Sequence, residues 1–133
     1  MIQTCGGLSD SQLVVLIALT SSWAAKEFTV APARSAFWAA VADALAAERS
    51  RRRGGLPGPE PQLDYDGLSD EDVRHLAGVC RAFEDDARKA NREGDRQFWT
   101  ALRVHLVVVG VHRAEALSEL NDIFRLPAGG EKV

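Results

Sequence analysis

The chain holds two cysteines, one methionine and one tyrosine among 133 residues. Two thiols, Cys5 and Cys80, are too few for a disulfide scaffold. One bridge between them is open to the chain; two free thiols of a reducing cytosol is the plainer expectation. Lysine is scarce too: of 16 basic residues, 13 are arginine. Together with abundant alanine, this is the bias of a GC-rich bacterial genome and carries no chemistry. The net charge is −3, so no overall basic field draws in nucleic acid.

Long apolar runs are missing as well. The stretch Leu13 to Ala25 falls short of the ~20 residues that cross a bilayer. It has no Lys or Arg before it, as a signal peptide would, and does have Asp10. It reads as a buried helix in a cytoplasmic protein without membrane contact. The sequence also lacks a phosphate-binding loop, a dinucleotide fingerprint, a nucleophile elbow and a paired-cysteine metal motif. No catalytic residue, cofactor or metal site is therefore expected, and the chain reads as a non-enzyme.

What the chain does contain is a repeat. Gly7-Leu8-Ser9-Asp10 returns sixty positions on as Gly67-Leu68-Ser69-Asp70. At the same offset Leu13 meets Val73, Leu16 meets Leu76, Thr20 meets Cys80 and Trp23 meets Phe83. One inserted residue then sets Phe37-Trp38 against Phe98-Trp99, Val41 against Leu102 and Leu45 against Leu106. Tryptophan is rare, so two Phe-Trp pairs in register with two Gly-Leu-Ser-Asp strings point to duplication.

Each copy predicts two helices. Ser9 and Ser69 are N-caps, and Gln12 can complete a capping box with Ser9. Leu8 and Leu68 sit where an apolar residue staples onto the next turn. Leu13, Leu16, Ile17, Thr20 and Ala24 mark one face of a helix from Asp10 to about Lys26. Pro32 opens a second helix that turns Phe37, Val41, Ala44 and Leu45 inward and stops at Gly54-Gly55. The third is expected over 70–92, with Gly94 as its C-terminal cap and Asp95 as the next N-cap. The fourth is expected from Arg96 to about Phe124, ending before Pro127. No strand alternation is seen. The fold class is all-α: a four-helix bundle built from two αα-hairpins related by a pseudo-two-fold. Residues 1–126 form one helical domain with repeat units 7–53 and 67–113, a Gly/Pro-rich linker 54–66, and a flexible tail 127–133.

The copies differ in one respect. Helix 1 carries Val14, Val15 and Ala18 where helix 3 has Arg74, His75 and Gly78. Helix 4 carries Val104, Val107, Val108 and Val111 where helix 2 has Asp43, Ala46, Ala47 and Ser50. A helix apolar on two sides needs cover on two sides. Either helices 1 and 4 cover each other, or a partner does. The second reading makes these seven residues an interface and the chain a homodimer.

Other candidates are weaker. His105 and His112 share a face with Glu115 and Glu119 nearby, but no Glu-x-x-His pair accompanies them, so they read as hydrogen-bonded surface histidines. Cys80 lies on the inward face, apart from His75, and reads as core. Arg49, Arg51, Arg52 and Arg53 are candidate nucleic-acid contacts, yet cations also belong at a helix C-terminus. Trp38 and Trp99 either fill the core or floor a ligand pocket. The expected function is a dimeric, non-enzymatic interaction or regulatory module that binds an unidentified protein. A small-molecule-binding bundle using Trp38 and Trp99 is the alternative, and DNA binding through Arg49–Arg53 the next.

Overall fold

The computed structural model describes residues 7–54, 63, 65 and 67–131, and for 121–131 only the backbone. Cys5, the rest of the linker and residues 132–133 lie outside the described residues, so a Cys5–Cys80 bridge does too. Among the described residues four α-helices follow one another: α1 Asp10–Glu27, α2 Pro32–Arg52, α3 Asp70–Lys89 and α4 Glu93–Glu131. Among the described residues there is no strand. The molecule is all-α, an arrangement compatible with a helical bundle.

Local chemistry sets the helix starts. Ser9 Oγ accepts from the Gln12 N–H at 3.2 Å, and Gln12 Oε1 accepts from the Ser9 N–H at 2.7 Å. Ser69 and Asp72 repeat that reciprocal box at 3.0 and 3.1 Å. Each box satisfies donors that the first helical turn leaves open. Leu8 and Leu68, just before the caps, are buried in the core. Pro32 opens α2, and Gly54, at φ 80°, follows its last turn.

Three boundaries differ from expectation: the end of α3, the start of α4 at Glu93, which places Asp95 inside the helix instead of at its N-cap, and the end of α4. α3 stops at Lys89, where Asn91 takes the left-handed conformation at φ 57°. The Arg92 N–H then reaches Ala87 O at 2.8 Å and the Asn91 N–H reaches Arg88 O at 3.2 Å. This is a Schellman stop made by asparagine instead of glycine. Gly94 is freed from capping and sits in the first turn of α4. At the far end α4 continues through Pro127 to Glu131, because an internal proline removes one hydrogen bond and can kink a helix without ending it. Residues 127–131, expected as a tail, are helical.

α1 packs along α2, and α3 along α4. Both pairs are antiparallel hairpins, as their end-to-start contacts show. Arg52, closing α2, donates to Leu8 O at 2.6 Å and pairs with Asp10 at 3.1 Å. Arg113 on α4 donates to Tyr65 O at 2.7 Å and pairs with Asp70 at 3.3 Å. Arg52 and Arg113 are 61 positions apart, the repeat offset.

The hairpins meet head to tail. Gly7, before α1, lies against Gly94 at the start of α4; a Cβ on Gly94 would collide with the Gly7 carbonyl. Arg34, opening α2, faces Asp72 at the start of α3, 3.9 Å away. Between the hairpins lies an aromatic cluster. Trp23 meets Trp38 at 4.6 Å, Phe83 at 5.2 Å and Trp99 at 6.1 Å between ring centroids. One buried cluster joins both hairpins, from Leu13, Leu16, Val41 and Leu45 to Val73, Leu76, Leu102 and Leu106. Each such side chain contributes roughly 1.5–3 kcal/mol of transfer free energy. Residues 7–23 and 67–83 pass through the same order of buried, half-buried and exposed positions.

Candidate functional site

The surplus apolar residues are not absorbed by the fold. Val14, Val15, Val104, Val107, Val108 and Val111 are each between 43% and 62% exposed, and Ala18 is exposed as well. Mutual cover of helices 1 and 4 at these positions, one of the two expectations, is therefore not what the chain does. Their repeat partners Arg74, His75, Asp43, Ala46, Ala47 and Ser50 are equally exposed. The two hairpins thus present matching outward positions, with larger apolar side chains on α1 and α4 and smaller or polar ones on α3 and α2.

A second apolar line lies on α4. Leu117 and Leu120 follow the inward stripe of Leu102 and Leu106 at helical spacing. Arg113 already touches Asp70, the first residue of α3. Beyond it α3 has no residue left to offer, and Leu117 and Leu120 are at least half exposed. The turn between α1 and α2 exposes Phe28 and Val30.

Trp38 and Trp99 are both 2% exposed and belong to the core. Among the described residues, Trp38 lines one groove and Trp99 another. The two grooves flank the aromatic cluster. The larger, about 450 Å³, is walled by Trp23, Trp38, Val79 and Phe83, with Lys26, Glu27 and His75 at its edge. The smaller, about 300 Å³, has Val15, Leu19, Phe83 and Trp99 as walls, with Arg92 and Asp95 at one end. The two correspond through the repeat: His75, Val79, Trp23 and Trp38 stand where Val15, Leu19, Phe83 and Trp99 stand in the other. Phe83 lines both grooves and packs on Trp23, which lines the larger. The repeat pairing names these two residues, but their place between the hairpins emerges only in three dimensions.

The basic run is largely engaged. Arg51 grips Glu48 through two bonds of 3.1 and 2.7 Å. Arg52 adds a 2.8 Å contact to the same carboxylate besides its tie to Asp10. Those arginines hold Glu48 below the usual carboxylate range, Arg51 most of all. Arg49 is half-buried and Arg53 exposed. Through Arg52 the run closes α2 onto α1.

Burial pushes the Cys80 thiol up to about 12. A thiol so protonated is a packing group, not a nucleophile. Near it is a group not recognised from sequence. Glu84 is 3% exposed and accepts from Arg103 Nε at 2.8 Å and from the Thr100 hydroxyl. Arg103 holds the carboxyl below its ordinary range; burial opposes this and Thr100 assists. Glu84 thus stands as an ionised carboxylate held inside the second hairpin by two neighbours on α4. Sequence could have flagged it, since Glu84, Thr100 and Arg103 all replace alanines of the first copy, Ala24, Ala39 and Ala42. His105 is half-buried and His112 exposed. Among the described residues no three His, Cys, Asp or Glu side chains gather as a metal site, and no helix is long and apolar enough to cross a membrane.

No protein-family model, curated protein or solved structure matches this chain.

Proposed function

We propose that the chain is a non-enzymatic α-helical interaction or regulatory module, a cytoplasmic homodimer that engages another protein. One observation carries the reading: the valine faces of α1 and α4 stay exposed after the core is filled. Scattered surface apolar side chains need no explanation, but rows of them along a helix do. The faces are also selective. Duplication of one αα-hairpin, with a pseudo-two-fold between the copies, accounts for the matched caps, the matched Arg52–Asp10 and Arg113–Asp70 ties and the matched burial order. Against that shared scaffold only one helix of each copy has become apolar outside. A two-fold dimer is the simplest cover. Light scattering on the eluting protein tests this: a two-chain particle is expected, and a single chain at all concentrations removes the reading.

A second reading has its own support. The grooves beside Trp38 and Trp99 have the size and aromatic lining of small-ligand sites. Screening the tryptophan indole N–H resonances against a metabolite library checks it, with a ligand-induced shift expected and silence across the library opposing it.

A further inference from the structure

We infer that the larger groove takes a small aromatic zwitterion, a flat ring carrying one ammonium and one carboxylate. This rests on the small-molecule reading above and gives it a place and a ligand class. The walls are preformed, because Trp23 is packed against both Trp38 and Phe83. A ring laid along the groove-facing side of this cluster finds π faces and edges to pack on.

The polar groups specify the rest. Glu27 is paired through Oε1 with Arg34 at 3.0 Å. Its other oxygen, Oε2, is buried and has no hydrogen-bond partner among the described residues. Arg34 Nε, in the same ion pair, is likewise buried without a hydrogen-bond partner among the described residues, and a ligand ammonium supplies Oε2 with a donor. Lys26 lies on the same groove with its side chain exposed, and His75 stands beside Val79. A bare amine would place its charge against Lys26. A bare carboxylate would place its charge against Glu27. A ring bearing both groups satisfies each end. The smaller groove also has a buried carboxylate oxygen without a partner, Asp95 Oδ1. Its arginine, Arg92, is already held by Asp95 Oδ2 at 3.0 Å, so that groove is the weaker fit and serves as an internal comparison.

The test titrates the full chain with L-phenylalanine, phenethylamine and 3-phenylpropionate, following the three tryptophan indole N–H signals. Phenylalanine is expected to move the Trp23 and Trp38 signals more than that of Trp99. Each single-charge analogue is expected to bind roughly tenfold more weakly, the worth of one charge-assisted contact. Glu27→Gln is expected to weaken phenylalanine and phenethylamine by a similar factor without weakening 3-phenylpropionate, and Lys26→Met to weaken phenylalanine and 3-phenylpropionate without weakening phenethylamine. Lys26 is exposed, so its variant keeps the test usable if Glu27→Gln unfolds. Equal binding of all three probes, or indifference to both variants, overturns the zwitterion and leaves a pocket that reads only the ring. No shift with any probe overturns the inference; a library compound that still moves Trp38 would leave the broader pocket reading standing.

Discussion

Arg103 sets two guanidinium nitrogens on Glu84, at 2.8 and 3.3 Å, inside the second hairpin. The first hairpin has Ala42 and Ala24 at the corresponding positions. A polar network thus stands in the second hairpin where the first has alanines. Arg103→Ala should cost about 2 kcal/mol, because it strands a buried carboxylate; partial exposure of Arg103 keeps the loss below that of a fully buried pair. The triple replacement Glu84→Ala, Thr100→Ala and Arg103→Ala, which rewrites the second hairpin as the first, should lie within about 1 kcal/mol of wild type. Urea denaturation of both variants checks this. A triple variant less stable than Arg103→Ala would contradict it.

The same pair predicts an acid dependence. Glu84 titrates below the usual carboxylate value of 4.5, chiefly through its hydrogen bond from Arg103. A carboxyl lowered on folding stabilises fully above its unfolded pKa and loses that contribution as the pH falls through the folded one. The melting temperature of wild type should therefore drop more between about pH 5 and about pH 3 than that of Glu84→Gln. Equal drops would show that the pair carries no linked stability.

Much of this fold is legible in the sequence, and particular residues show why. Ser9 and Ser69 announce helix starts because a hydroxyl followed three residues on by an amide or carboxylate has one good geometry. Leu13, Thr20, Phe37, Val41, Val73, Cys80, Phe98 and Leu106 are all buried as their spacing requires. Thr20 even donates to Leu16 O one turn back, at 2.8 Å, as a polar residue on an inward face should. What is not legible depends on contacts distant in sequence. Asn91 takes the stop expected of Gly94, because Gly94 is needed where the Gly7 backbone arrives. The burial of Glu84 depends on α4 bringing Arg103 to it. Val107 and Val108 announce a surplus, while what covers them is not written in one chain.

Two of the helical glycines, Gly78 and Gly94, give a paired prediction. Gly→Ala inside a helix normally gains about 1 kcal/mol. Gly78, in α3, has open space where its Cβ would go, so Gly78→Ala should stabilise by roughly 0.5–1 kcal/mol. Gly94→Ala should instead destabilise by about 1 kcal/mol or more, since its methyl would meet the Gly7 carbonyl. Denaturant midpoints of the two variants should move in opposite directions; a stabilised Gly94→Ala would disprove the close approach of the hairpins.

Cys80 is fully buried, with its pKa raised to about 12. In a Cys5→Ser background a disulfide reagent at about pH 8 should label the chain only once denaturant opens it. Immediate labelling in native buffer would place Cys80 at an accessible surface.

The central claim is that the valine faces of α1 and α4 meet a second copy of the chain. Sedimentation equilibrium of wild type beside Val107→Lys/Val108→Lys tests it most directly, since both side chains are exposed in the single chain and lysine there leaves the core untouched. The account predicts a two-chain particle for wild type and a folded single chain for the variant, with unchanged helical signal. A wild type that stays a single chain across the concentration range, or a variant that dimerises as tightly as wild type, would contradict it.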